Sequence, residues 1–280
     1  MKPYFIGLGA QRSGTSWIYA CLYEHPQLHM PFKEVNFFGR DEQYEKGLTW
    51  YENHFSGQPE GKLSGEFSTT YLDSDVAPGR IYKYHPEVKL IVSLRNPVER
   101  ALSNYYNNIM GGLVGPEVTF DEALDAHPEY LTQGMYHQQL QNYLEYFPRE
   151  QLLVLIYEDS IVTPIVFIQE IYRFLDVDSK FRPSMIEEKV NVGRKPKSVK
   201  LDLALDAWAS ALRRKGLHRF IWFIKRIGFV KLLRQANSGQ LKEASDLSES
   251  RRAQLKNHFS DDIKRLEVLL DRDLAMWIND

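Results

Sequence analysis

Cysteine is almost missing: Cys21 stands alone among 280 residues, which excludes a disulfide within the chain and makes a reducing, cytoplasmic setting the expectation. No apolar run approaches the roughly twenty residues of a membrane span. The apolar stretch after Lys2 and Pro3 is only about seven residues long, too short for a secretory signal. Neither sign of charge dominates, since 35 Lys and Arg stand against 37 Asp and Glu. A net charge of −2 gives no general affinity for nucleic acid. Repeats and low-complexity tracts are also lacking. Hydrophobic residues make up 43% and aromatics 13%, ample for one α/β domain or two small ones.

A further absence is more informative. The apolar run at residues 4–8 leads into Gln11, Arg12, Ser13, Gly14, Thr15 and Ser16, and then into the apolar side chains of Trp17, Ile18, Ala20 and Leu22. Strand, glycine turn and helix start in this order are the surroundings of a phosphate loop, where unpaired N–H groups and partial positive charge suit an anion. Gly9 and Gly14 have the G-x-x-x-x-G spacing, but Thr15 stands where a Walker loop carries lysine. The cation lies inside the loop, as Arg12.

Residues 88–94 (VKLIVSL) read as a buried parallel strand. In a Walker-type NTPase such a strand ends in a metal-binding aspartate; here it ends in Arg95. A cation there points to a nucleotide with an extra phosphate and away from Mg-dependent phosphoryl transfer. Pro97 then opens a helix to about residue 110. Ser103 lies eight positions after Arg95, about two turns along, so the two can share one phosphate. Glu34, between Lys33 and the aromatics Phe37 and Phe38, is a candidate general base, or else a solvated loop glutamate.

Further strands are expected at 62–68, carrying Glu66, and at 152–157, ending in Tyr157. Helices are expected at 76–84, 120–126, 136–147 and 164–175. The spacing of Leu255, Phe259, Ile263, Leu266 and Leu270 adds a last amphipathic helix. This alternation predicts an α/β, three-layer P-loop-like fold with a central parallel sheet flanked by helices, plus a helical C-terminal region. Ligands of such sheets sit at the carboxyl ends of the strands, where Arg12, Arg95 and Tyr157 fall.

Two basic stretches stand apart. Residues 191–197 form a Gly/Pro loop containing Gly193, Arg194 and Lys195. Residues 201–235 hold eight Lys and Arg against two aspartates, interleaved with Phe220, Trp222 and Phe223. The latter reads as a packed helix pair, as a lid over an apolar or anionic acceptor, or as a peripheral membrane contact through 205–235.

Taken together these residues resemble the sulfotransferases that use 3′-phosphoadenosine 5′-phosphosulfate (PAPS). QRSGTS at 11–16 resembles the family's 5′-phosphosulfate loop, and RNPVERALSNY at 95–105 its 3′-phosphate motif. KEVNFFG at 33–39, with Trp50 and Tyr51 after it, is similar to the carbohydrate branch that includes the heparan sulfate enzymes. LEVLLDRDLAMW at 266–277 resembles a C-terminal signature of bacterial members.

The resemblance covers nearly the whole chain, weakly at 200–245, and implies one domain over 1–280 with a basic, lid-like helical insertion at 200–245. It implies that Gln11, Arg12 and the backbone from Ser13 through Gly14 and Thr15 to Ser16 bind the 5′-phosphosulfate. Arg95 and Ser103 would hold the 3′-phosphate and Tyr157 would lie near the adenine. Gly193, Arg194 and Lys195 would close over the nucleotide, and Glu34 would be the catalytic base. PAPS is then the co-substrate, adenosine 3′,5′-bisphosphate the product, and no metal is needed.

The acceptor would be a small molecule, carbohydrate or lipid. Glycosaminoglycan enzymes usually place a lysine after the glutamate matching Glu66, whereas here Phe67 follows. That counts against a heparan-like, highly anionic acceptor and leaves Phe37, Trp50 and Phe67 to line a more apolar pocket. The other readings are a small-molecule kinase with a degenerate loop and a nucleotide-binding regulatory protein without catalysis.

Overall fold

The computed structural model describes residues 1–186 and 247–279, with the backbone alone of 187, 195–196 and 238–239. Its chain forms two compact units, one of Met1–Arg100, Leu131–Asn191 and Ala253–Asp280, the other of Ala101–Tyr130 and Val192–Arg252. The proposed basic segment 205–235 lies outside the described residues.

The first unit is built on five strands: β1 (Phe5–Gly9), β2 (Leu28–His29), β3 (Leu63–Phe67), β4 (Lys89–Leu94) and β5 (Leu152–Ile156). All neighbours pair parallel, in the order β2-β3-β1-β4-β5. Every residue of β1 is buried, as a central parallel strand covered on both faces must be. On one face α1 (Thr15–Glu24) and a helix at Pro164–Phe174 set Trp17, Ile18, Cys21, Phe167, Ile168 and Tyr172 around Phe5, Ile91 and Leu155. Cys21 is a core residue, its thiol pushed up to about 12 chiefly by burial, which makes it an inert small hydrophobe.

The helix α2 (Pro97–Met110) follows β4 directly. In the second unit, Tyr105 donates from its hydroxyl to the carbonyl of Val118 at 2.6 Å. Phe120 packs at 5.3 Å from the Tyr105 ring, and Arg251 pairs with Asp121 at 2.7 Å. A capping box of Thr119 and Glu122 starts the helix Phe120–Ala126.

Three boundaries depart from the sequence expectation. The two-residue β2 is too short for a pattern to reveal. The helix expected at 136–147 is Tyr136–Leu144. Tyr157, expected as a strand end, is the first residue of a helix, Tyr157–Val162, with Glu158 and Asp159 in its first turn, where carboxylates favour a helix start. Among the described residues, no helix is long and apolar enough to cross a membrane, and no group of three or more His, Cys, Asp or Glu is arranged to hold a metal.

Candidate active site at the carboxyl edge of the sheet

Because every strand is parallel, the carboxyl ends of β1, β3, β4 and β5 lie along one edge. The chain passes from β3 to β4 across β1, so the end of β1 is the switch point at which ligands of such sheets bind. The loop that leaves β1 there is bent by three positive φ angles, at Gly9 (140°), Arg12 (70°) and Gly14 (78°). A Cβ on Gly14 would come within 2.7 Å of the Tyr157 ring. That ring lies against the loop, and both the left-handed backbone and the close approach demand glycine.

Ala10 N–H donates to the carbonyl of Ser93 at 2.8 Å, and Ser93 Oγ donates to the carbonyl of Ser13 at 2.8 Å, so β4 holds both sides of the loop. No side chain caps α1, which leaves first-turn N–H groups available for an anion. Ser13 Oγ is buried with no hydrogen-bond partner among the described residues, a cost that an anion oxygen would remove.

Arg95 leaves the end of β4 and turns back over this loop. Its Nη1 donates to the carbonyl of Arg12 at 3.3 Å, and its guanidinium lies 5.1 Å from the centre of the Tyr157 ring. The backbone at Arg95 is pinned twice: Tyr136 Oη donates to its carbonyl at 2.8 Å, and Asn96 N–H donates to Glu158 Oε1 at 2.9 Å. Asn96 Oδ1 accepts from Val98 N–H at 3.0 Å and so caps α2. The Arg12 guanidinium is held below its ordinary range by burial and then by the positive charge of Arg95. Two cations gathered at a helix N-terminus form an electrostatic well for a multiply charged anion.

Glu34 reaches the same edge from the segment after β2. Lys33 bridges in parallel with Phe67, and Glu34 N–H donates to the carbonyl of Phe67 at 2.8 Å. The Glu34 backbone is left-handed, with φ at 61°. Its carboxylate accepts from Thr69 N–H and from Thr69 Oγ1, both at 3.1 Å. Lys33 Nζ donates to Glu34 Oε1 at 2.9 Å and to Ser16 Oγ at 3.1 Å, linking the glutamate to the first turn of α1. Beneath it Glu66 is fully buried. Burial pushes its carboxyl up to about 7, against the downward pull of hydrogen bonds from Ser68, Tyr71 and Tyr51.

The first unit therefore brings together Gln11 to Ser16, Arg95 and Tyr157, with Glu34 joined through Lys33. Ser103 lies on α2 within the second unit. Gly193 and Arg194 fall outside the described residues, and Lys195 is described in its backbone alone. The apolar pocket expected of Phe37, Trp50 and Phe67 is corrected. Phe37 and Phe67 are fully buried, and the Phe67 ring fills the space over Gly7, where a Cβ would meet it at 2.0 Å. The alternation of β3 sends Phe67 into the core and Glu66 to the opposite face.

The aromatic that remains exposed beside Glu34 is Phe32, 50% accessible and packed edge-on to His54 at 4.9 Å. His137 lines a separate cleft with His258, Asp261 and Arg265. Sequence reasoning missed Lys33, Thr69 and Glu158 as partners of the site. Only the lysine next to Glu34 carried any local signal.

The Sulfotransferase domain family matches the chain over residues 3–194. The human heparan sulfate glucosamine 3-O-sulfotransferase 5 is 27% identical over 186 residues, which cover 62% of this chain and 54% of that protein. The human bifunctional heparan sulfate N-deacetylase/N-sulfotransferase 2 is 30% identical over 195 residues, covering 62% of this chain and 22% of that protein. The chain thus spans about half the length of the first relative and less of the second. The crystal structure of a sulfotransferase from Alicyclobacillus acidocaldarius shares the fold, with a TM-score of 0.72 over 99% of both chains at 24% identity. The matched region takes in the phosphate loop, Glu34, Arg95 and Tyr157, and the chain belongs to the sulfotransferase-domain family.

Proposed function

We propose that this protein transfers a sulfuryl group from PAPS to a hydroxyl or amine acceptor by metal-independent, in-line displacement. The observation that carries this reading is the pairing of Arg12 and Arg95 against Tyr157 over an uncapped helix N-terminus. Thr15 stands at the Walker lysine position with Arg12 as the loop's cation, and Arg95 stands where the metal-binding aspartate would be. A doubly anchored adenosine bisphosphate suits that pair better than a metal-bound triphosphate, which weighs against the kinase reading.

Arg12 and the N–H groups from Ser13 to Ser16 bind the 5′-phosphosulfate. Arg95 holds the 3′-phosphate, joined by Ser103, and Tyr157 lies beside the adenine. Gly193, Arg194 and Lys195 complete the nucleotide-binding set in this reading. Glu34 accepts the acceptor's proton as a new bond forms to sulfur and the bond from sulfur to the 5′-phosphate oxygen breaks. Charge grows on that leaving oxygen, where Arg12 and the helix N-terminus lower the barrier.

The acceptor is a carbohydrate, small molecule or lipid. The names of the relatives favour a carbohydrate, while Phe67 in place of a lysine counts against a highly anionic one. The single cysteine favours a cytoplasmic setting, the chain is one domain over 1–280 with a basic, lid-like helical insertion at 200–245, and within it 205–235 is a packed helix pair, a lid or a peripheral membrane contact.

A transfer screen with labelled PAPS across acceptor classes, preceded by thermal shift with adenosine 3′,5′-bisphosphate, tests the reading. Label transfer together with bisphosphate stabilisation is the expected result. Mg-dependent ATP turnover without bisphosphate binding would overturn it in favour of a kinase. Tight bisphosphate binding without transfer to any class would favour a regulatory protein. Arg95→Ala is expected to weaken the 3′,5′-bisphosphate by about 10- to 100-fold, on the scale of one charge-assisted contact of ~1.5–3 kcal/mol. Adenosine 5′-phosphate should lose far less in the same calorimetric titration, and equal losses would contradict the 3′-phosphate role.

A further inference from the structure

Below the segment that carries Glu34 lies a buried carboxylate that neither the phosphate loop nor the reaction calls for. Glu66 and Ser68 share one face of β3 and its extension, and Glu66, Ser68, Tyr51 and Tyr71 are all inaccessible to solvent. Glu66 Oε2 accepts from Ser68 Oγ at 2.6 Å. Its Oε1 accepts from Tyr71 Oη at 2.8 Å and from Tyr51 Oη at 2.9 Å. Two of these hydroxyls also accept from the backbone of the base-bearing segment. Asn36 N–H donates to Ser68 Oγ at 2.9 Å, and Phe37 N–H donates to Tyr71 Oη at 2.9 Å.

The direction of each bond follows from the backbone. An N–H group can only donate, so Ser68 Oγ and Tyr71 Oη accept there and turn their own protons to the oxygens of Glu66. Glu66 thereby sets two parallel relays, Asn36 N–H to Ser68 to Glu66 and Phe37 N–H to Tyr71 to Glu66. They grip a segment with two non-glycine residues in the left-handed region, Glu34 at φ 61° and Asn36 at φ 55°. Such backbone persists where the surroundings over-determine it. The third contact, from Tyr51, ties the carboxylate to the helix Leu48–Asn53 and reaches no backbone N–H of the segment.

We propose that Glu66 is a positioning residue for the reaction: through Ser68 and Tyr71 it fixes the turn that aims the Glu34 carboxylate at the acceptor. This rests on the reading of Glu34 as the base. Glutamine at position 66 keeps the shape but replaces one accepting oxygen by an NH₂ donor, which reverses a relay and loosens the turn without touching the nucleotide loop.

Glu66→Gln is expected to lower kcat by about 10- to 100-fold, the scale of a small misplacement of a reacting group. KM for PAPS and bisphosphate affinity should stay unchanged. Ser68→Ala and Tyr71→Phe should each lower kcat, and their effects should be non-additive with Glu66→Gln, as members of one network are. Tyr51→Phe, which removes a donor but no relay, should lower the melting temperature and leave kcat near the parent value. If Glu66→Gln does not fold, Ser68→Ala and Tyr71→Phe against Tyr51→Phe carry the same comparison.

Parent-like kcat in Glu66→Gln, additive effects, or a kcat loss in Tyr51→Phe equal to that of the relay variants would overturn the proposal. Glu34→Gln measured in parallel separates the two readings. Full activity there removes the base assignment, whereas loss there with an intact Glu66→Gln removes only the positioning role.

Discussion

Glu34→Gln is expected to lower kcat by about 10² to 10⁴, the range for loss of a positioned general base, with little change in affinity for adenosine 3′,5′-bisphosphate. The substitution keeps the volume of the side chain and a carbonyl oxygen that can still accept from Thr69 N–H. What it removes is the capacity to take a proton from the acceptor and the ionic partner of Lys33, 2.9 Å away. Because Lys33 also donates to Ser16 Oγ, it keeps a hydrogen-bond acceptor when the carboxylate is gone, so the phosphate loop should stay in place. Single-turnover sulfation with saturating PAPS reads the chemical step directly. A parent-like rate would remove Glu34 from the reaction and shift attention to His54, which packs against Phe32 and Trp50 nearby.

Arg12→Ala is expected to cost about 10² to 10³ in kcat, the scale of a lost donor to a developing oxyanion. The Arg12 guanidinium is held down by burial and by Arg95, and an anion bound beside it offsets both. The upward shift in melting temperature on adding bisphosphate is therefore expected to shrink in the variant. Differential scanning calorimetry with and without the nucleotide checks this outcome. An undiminished ligand shift would assign Arg12 to the fold and not to the anion.

The frame was largely legible in the sequence because it rests on local periodicity and punctuation. The apolar run of β1, the glycines at 9 and 14, and the start of α1 follow one another within twenty residues. Arg95 at the end of β4 and Pro97 at the start of α2 read the same way. Element ends were less legible. Tyr157 extends an apolar run and so reads as strand, yet the backbone turns helical there and lays the ring against Gly14.

The partners of Glu34 were out of reach for a different reason. Ser16 lies seventeen residues from Lys33, and Thr69 thirty-five from Glu34. No local pattern states which side chains a parallel crossover will bring to one edge.

Phe67 marks the boundary between the two kinds of knowledge. The sequence places an aromatic after Glu66, where the resemblance to glycosaminoglycan enzymes implies a lysine, but only the pleat of β3 decides its direction. It fills the space over Gly7, while its neighbour Glu66 faces the hydroxyls beneath the Glu34 turn. The sequence by itself determined the strand, loop and helix order, Arg12 as the cation of a loop without the Walker lysine, Arg95 in place of the aspartate, and a carboxylate following soon after the loop. Those features are set by residue type and short spacing. Tertiary structure alone decided that Arg95 reaches back to the carbonyl of Arg12, that Lys33 links Glu34 to the first turn of α1, and that a buried Glu66 holds the turn. Each of these depends on parallel strands from distant segments ending side by side, and on side-chain directions set once the sheet has formed.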